Sequence, residues 1–237
     1  MREEDIRTAM LLGSGAMEKL KNAHVAVFGI GGVGSYVAEA LARAGVGALD
    51  LFDSDTVSLS NINRQLVALH STVGRYKTEV MKERILDINP DCRVSAHNVF
   101  YLPENAHLYP LEDYDYIADA IDTVSAKITL AVKAREAGVP LIASMGTGNK
   151  LDPSRLSVTD LSKTEGCPLA RVMRRELRAR GILHLKVVYS SEPVVQAPED
   201  APKPPQEGTR IPPASISFVP SSAGLMLAGE IIKDLIK

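Results

Sequence analysis

The chain has 237 residues, enough for one sizeable domain, and its 45% hydrophobic and 24% charged content excludes wholesale disorder. A formal charge of −2 excludes a uniformly basic nucleic-acid binder while leaving room for a local basic patch. The two cysteines, Cys92 and Cys167, are too few for a disulfide framework or a four-cysteine zinc site.

The residues 24–30, HVAVFGI, form a short β-branched run that predicts a strand buried on both faces. It breaks at Gly29-Ile30-Gly31-Gly32-Val33-Gly34 and passes into 35–44, where Val37, Ala40, Leu41 and Ala44 recur at helical spacing. A second strand over 48–52 ends at Asp53. A polar stretch over 54–63 follows, then a helix over about 75–88 closed by Asn89-Pro90. Further strands are predicted at 93–96, 116–120 and 140–144, with a helix over 125–137 capped by Gly138. This rhythm predicts an α/β fold: a Rossmann-like, mostly parallel sheet with flanking helices.

Beyond Asp152-Pro153 the pattern changes. Strands at 156–159 and 185–189 flank an arginine-rich helix, and 197–214 holds six prolines, which reads as an extended loop. That loop is either a plain connector or a lid. A last strand is expected at 216–219, then a helix capped by Ser221 or Ser222 with Leu225, Ala228, Ile232 and Leu235 as its apolar stripe. No apolar run reaches membrane-spanning length and the first residues are acidic rather than signal-like, so a cytoplasmic location is expected.

Glycines between a strand and a helix let backbone approach a phosphate, which then meets the unpaired N–H groups of the helix start. The spacing alone fits dinucleotide and mononucleotide sites alike. Asp53, at the end of the second strand, stands where an acid commonly meets a ribose. Just past it, DSDTVSLSNINRQ sets acids, amides and Arg64 together, and Lys77 opens the next helix. Cations in that place suit a triphosphate better than a hydride-transfer site. Asp122 ends a later strand at the carboxyl edge of the sheet, and one carboxylate there suits Mg²⁺ with phosphate oxygens.

GIGGVGS, DSDTVSLSNINRQ, VGRYKTEVMKERI and DAIDT together resemble the ubiquitin-activating-type adenylation family, over roughly residues 7–144. The resemblance implies one adenylation-type domain over 1–237, with an ATP-binding core in 1–150 and a substrate-side extension in 151–237. It implies ATP phosphates on Gly29, Gly31, Gly32 and Gly34, ribose on Asp53, and further nucleotide contacts from Asp55, Asn61, Arg64, Gln65 and Lys77. Asp122 would hold Mg²⁺, and Arg7 resembles an N-terminal arginine supplied across a homodimer interface; Arg7, Arg64, Lys77 and Asp122 are the implied catalytic set. Members that activate a sulfur-carrier tail usually carry two CxxC pairs; this chain has none.

The stretch LDPSRLSVTDLSKTEGCPLARVMRRELR is similar to one branch of that family, the tRNA threonylcarbamoyladenosine dehydratases. That branch implies ATP-dependent cyclisation of the threonylcarbamoyl group on a tRNA adenosine through a carboxyl-adenylate. The alternative is an adenylyltransferase acting on a small ubiquitin-like carrier protein. Residues 163–186 carry a local charge of +5, leaving −7 elsewhere, and Arg171, Arg174, Arg175 and Arg178 share one broad helix face. By pattern alone that face reads first as a solvated surface or dimer contact; with the resemblance it suits a tRNA backbone. Cys167 reads as a small buried hydrophobe. A sulfur-transfer protein stays open as a further partner.

Overall fold

A computed structural model describes residues 2–202 and 213–237, so part of the proline-rich stretch lies outside the described residues. Seven strands form one sheet in the order β3-β2-β1-β4-β5-β7-β6: β1 His24–Phe28, β2 Ala48–Phe52, β3 Arg93–His97, β4 Tyr116–Asp119, β5 Leu141–Ser144, β6 Leu156–Asp160 and β7 Lys186–Ser190. Every neighbouring pair is parallel except β6 with β7. Strands from beyond residue 150 thus complete the sheet begun by β1.

The helices follow from where the apolar faces fall. On one side α3 Gly34–Arg43, α4 Lys77–Ile88 and α7 Phe218–Leu235 enclose Val25, Val27, Leu41, Leu49, Leu51, Met81 and Leu227. On the other, α5 Val124–Ala137 and α6 Pro168–Arg178 cover Ala26, Phe28, Ile117, Leu130, Met173 and Leu177. The alternation along β1 divides its residues between the two cores, as strand geometry requires. Gly138 takes φ +71 at the end of α5, the left-handed cap its sequence position suggests. Two short N-terminal helices, α1 Ile6–Leu12 and α2 Ser14–Asn22, lead into β1.

The expected strand at 216–219 is not formed. Those residues enter α7, which starts at Phe218 with Ser217 before it, and Ser221 and Ser222 lie inside the helix rather than capping it. The β-branched run misleads because Pro220 falls in the first helical turn, where its missing N–H costs nothing. Ser222 Oγ instead donates back to the Phe218 carbonyl at 2.7 Å. The buried face of α7 also differs: Val219, Ala223, Leu227 and Ile231 turn inward with Ala228, while Leu225 is exposed. Helix α4 begins at Lys77 rather than 75, because Tyr76 is held in an isolated bridge with Thr56.

Candidate active site

The β1–α3 turn is built around two glycines. Gly29 has φ +87, and a Cβ on it would stand 2.7 Å from the Ala120 carbonyl oxygen, just past β4. A Cβ on Gly34 would lie only 1.7 Å from the Gly29 carbonyl oxygen. The loop is therefore folded so closely on itself and on the end of β4 that no side chain fits at either position. Helix α3 then points its amino terminus at the carboxyl edge of the sheet, where its free N–H groups can meet an anion.

Asp53 pins this loop from the side. Its Oδ2 accepts the Ile30 N–H at 2.7 Å and its Oδ1 the Asp55 N–H at 2.8 Å. Burial pushes the Asp53 carboxyl above its ordinary range, while the Lys77 ammonium 3.9 Å away and the two backbone donors act against that. Lys77, the first residue of α4, is almost fully buried and donates to Asp55 Oδ2 at 2.7 Å. A buried ammonium held between two carboxylates beside a glycine loop is a fixed positive charge.

The NINRQ block supplies the opposite wall. Asn61 is buried in a tight turn: its Oδ1 accepts the Ser58 N–H, and its carbonyl accepts the N–H groups of Arg64 and Gln65. That turn directs Arg64 and Gln65 at the glycines. Arg64 Cγ lies 3.5 Å from where a Cβ on Gly32 would be, and Gln65 Nε2 is 3.7 Å from the same point on Gly31. The Arg64 guanidinium is partly buried, which lowers its pKa from the usual value, and among the described residues it binds only the Ser60 carbonyl and Asn63 Oδ1. Gln65 Oε1 is buried and has no hydrogen-bond partner among the described residues, a condition native proteins rarely leave unanswered. The Gln65 Nε2 donor and a lightly tied guanidinium, beside a cradle that excludes side chains, fit a polyphosphate.

Asp122 is exposed at the β4–α5 turn, and among the described residues its carboxylate accepts only from the Thr123 hydroxyl, at 3.4 Å. Among the described residues no three His, Cys, Asp or Glu side chains gather as a metal site. A single free carboxylate that needs phosphate oxygens to complete a coordination shell fits Mg²⁺ and does not fit a closed protein cage.

Other expected residues stand apart from this cluster. Arg7 is exposed on α1, and the segment before it is anchored far from the glycine loop: Arg2 donates to Asn89, which donates to Val46 just before β2. The arginine helix divides by contact. Arg174 Nη1 donates to the Leu161 and Thr164 carbonyls and to Thr164 Oγ1, binding the turn before α6. Arg171, Arg175 and Arg178 are exposed, although Arg175 pairs with Glu176. Cys167 is buried at the start of α6.

Some supports carry no signal in the pattern of the sequence. Pro220 packs 3.3 Å from a Gly32 Cβ position, and Gly224 lets α7 approach the Val33 carbonyl, so α7 backs the phosphate loop. Asn149, at φ 56, accepts the Val195 N–H on its carbonyl and binds Ala214 through two hydrogen bonds. Asn63 Nδ2 donates to the Ser215 carbonyl. Both flanks of the proline-rich stretch thereby meet at Asn149, and the later flank also reaches Asn63, the neighbour of Arg64.

Comparison with known proteins agrees with this geometry. The model of the ThiF family matches residues 4–237. The chain belongs to the ThiF family. It is 45% identical over 240 residues to a tRNA threonylcarbamoyladenosine dehydratase of Bacillus subtilis, covering 98% of this chain and 94% of that one. The crystal structure of the Escherichia coli tRNA N6-threonylcarbamoyladenosine dehydratase in complex with ATP superposes with a TM-score of 0.89 at 37% identity, covering 99% of this chain and 94% of that one. Similarity to the Escherichia coli molybdopterin-synthase adenylyltransferase is lower, 34% identity over 67% of this chain and 61% of that one. Within the ThiF family this chain is therefore similar along its whole length to a dehydratase and only in part to a carrier-protein adenylyltransferase.

Proposed function

We propose that this ThiF-family chain is an ATP-dependent tRNA threonylcarbamoyladenosine dehydratase. The observation that carries the reading is the likeness to the Bacillus subtilis enzyme over 98% of the chain, which includes the region outside the nucleotide site. The geometry supplies the means. ATP would lie with its phosphates over Gly29–Gly34, its ribose at Asp53, and its charge met by Arg64, Gln65 and Lys77. Asp55 and Asn61 hold Lys77 and the NINRQ turn in place.

In the first step a carboxylate oxygen of the threonylcarbamoyl group attacks the α-phosphorus of ATP and pyrophosphate leaves. A nitrogen of the same modified base then attacks the acyl carbon, its proton departs, and AMP is released; the net change in the nucleoside is loss of water. The protein's share is placement and charge stabilisation, and no enzyme thiol is needed because the nucleophile belongs to the substrate. Mg²⁺ held at Asp122 would neutralise charge on the phosphates.

Arg171, Arg175 and Arg178 present exposed guanidiniums, one of them paired at the surface with Glu176, that suit the tRNA backbone. The exposed Met10 and Leu11 on α1, 82% and 84% accessible, support a homodimer in which Arg7 reaches the partner's nucleotide. Among the described residues no helix is long and apolar enough to cross a membrane, and a cytoplasmic location suits a tRNA substrate. An assay of AMP release separates this reading from its alternative. Release stimulated by tRNA bearing threonylcarbamoyladenosine is expected; release stimulated only by a carrier protein with a free C-terminal tail would overturn it.

A further inference from the structure

Behind the β4–α5 turn lies a charge pair that the chemistry above does not use. Asp119, the last residue of β4, and Lys127, in the second turn of α5, are both wholly inaccessible, with Lys127 Nζ 2.9 Å from Asp119 Oδ2. The contact is ionic but not aligned as a hydrogen bond, and among the described residues neither atom has another partner. Such a pair gives weak support to stability, since apolar side chains of the same size usually fill the space as well or better. What distinguishes it is the segment it holds. Asp119 Oδ1 accepts the Ile121 N–H at 3.1 Å, fixing the peptide that leads directly into Asp122. Ala120 lies between them, with its N–H on the Phe28 carbonyl at 2.8 Å. Its carbonyl oxygen is the atom that a Cβ on Gly29 would strike, and its Cβ is 3.2 Å from the same position on Gly34. One short segment therefore underlies the phosphate loop and carries the exposed carboxylate.

We propose that Asp119 and Lys127 are positioning residues: the ammonium locks the Asp119 carboxylate, which locks the Ala120–Asp122 turn against the glycine loop. The inference rests on the reading of that loop as the ATP phosphate site. Dispersed into apolar side chains, the pair would leave the core filled but the turn free.

The test uses the full chain carrying Asp119→Leu with Lys127→Met, and follows thermal midpoint, exchange of the Ile121 amide, and ATP affinity by calorimetry with and without Mg²⁺. The thermal midpoint is expected at or above that of the unaltered protein. Ile121 exchange should quicken by about tenfold or more, and ATP affinity should fall about tenfold even without Mg²⁺. Unchanged exchange and affinity in a folded variant would overturn the proposal. Asp119→Asn with Lys127→Met keeps a side-chain acceptor for Ile121 but removes the charge that fixes it, and should fall between the two. Values equal to the unaltered protein in that variant would also overturn it, even if the leucine variant did not fold. Failure of the unaltered protein to bind ATP would instead remove the reading of the glycine loop and leave the pair without a role.

Discussion

The glycines of the β1–α3 turn separate, by their surroundings, into those the fold requires and those the ligand requires. An added Cβ on Gly34 would sit 1.7 Å from the Gly29 carbonyl oxygen, roughly half an ordinary contact distance, so backbone must move by more than an ångström. Overpacking against backbone of this kind costs about 3 kcal/mol or more, a large part of a domain's total stability of about 5–15 kcal/mol. Gly29 adds a left-handed φ to a 2.7 Å approach, so Gly29→Ala should cost a similar amount. Gly31 differs. Among the described residues its added Cβ would meet only Gln65 Nε2 at 3.7 Å, an ordinary contact, and on the proposed reading of this loop it would crowd the bound phosphates. Gly31→Ala should therefore keep its unfolding free energy within about 0.5 kcal/mol of the unaltered protein while ATP binds at least about tenfold more weakly, close to 1.4 kcal/mol. Urea unfolding and calorimetric ATP titration on the three variants give both numbers. A Gly31→Ala protein that is strongly destabilised, or one that binds ATP normally, would refute this division.

Other substitutions follow the same logic. Arg174→Ala should destabilise by about 1–3 kcal/mol, because it strips the Thr164 turn of its guanidinium partner. Arg175→Ala, by contrast, should leave unfolding unchanged, weaken tRNA binding and reduce its salt slope by about one; binding curves at several salt concentrations check this. Asp122→Ala should leave thermal stability unchanged, since the side chain is exposed, and abolish Mg²⁺-dependent AMP release. Acid stability tests a different cluster. Burial would raise the Asp50 carboxyl, but hydrogen bonds from His24, His97 and the Tyr114 hydroxyl outweigh it and hold the pKa well below the usual carboxylate range. A depressed carboxyl contributes stability above its unfolded pKa of about 4 and loses it as pH falls toward the folded value. The stability advantage over Asp50→Asn should thus be full at pH 6 and shrink steadily below pH 4, read by urea unfolding; a pH-independent gap would refute it.

Much of this fold is legible in sequence because the strands of a parallel sheet are apolar runs bounded by turn residues. The runs 24–30, 48–52 and 140–144 needed no tertiary information, and the glycine spacing marks the phosphate turn. Where the sequence misleads, a local pattern meets a tertiary decision. Ile216 to Val219 has strand composition, yet only packing against α3 and the loop at Gly32 and Val33 decides that α7 starts there. Helical periodicity places Arg174 beside Arg175, but not the Thr164 turn that captures one of them. A lysine in α5 reads as a surface residue, and nothing in the spacing announces that Lys127 is buried on Asp119. Gln65 was legible as part of a motif; its unpartnered oxygen was not.

The most direct test is the mass of the modified nucleoside recovered from tRNA after incubation with the protein, ATP and Mg²⁺. Threonylcarbamoyladenosine should lose the mass of one water molecule, only when ATP is present. An unchanged nucleoside, with AMP formed only after a carrier protein is added, would contradict the assignment of tRNA as the substrate.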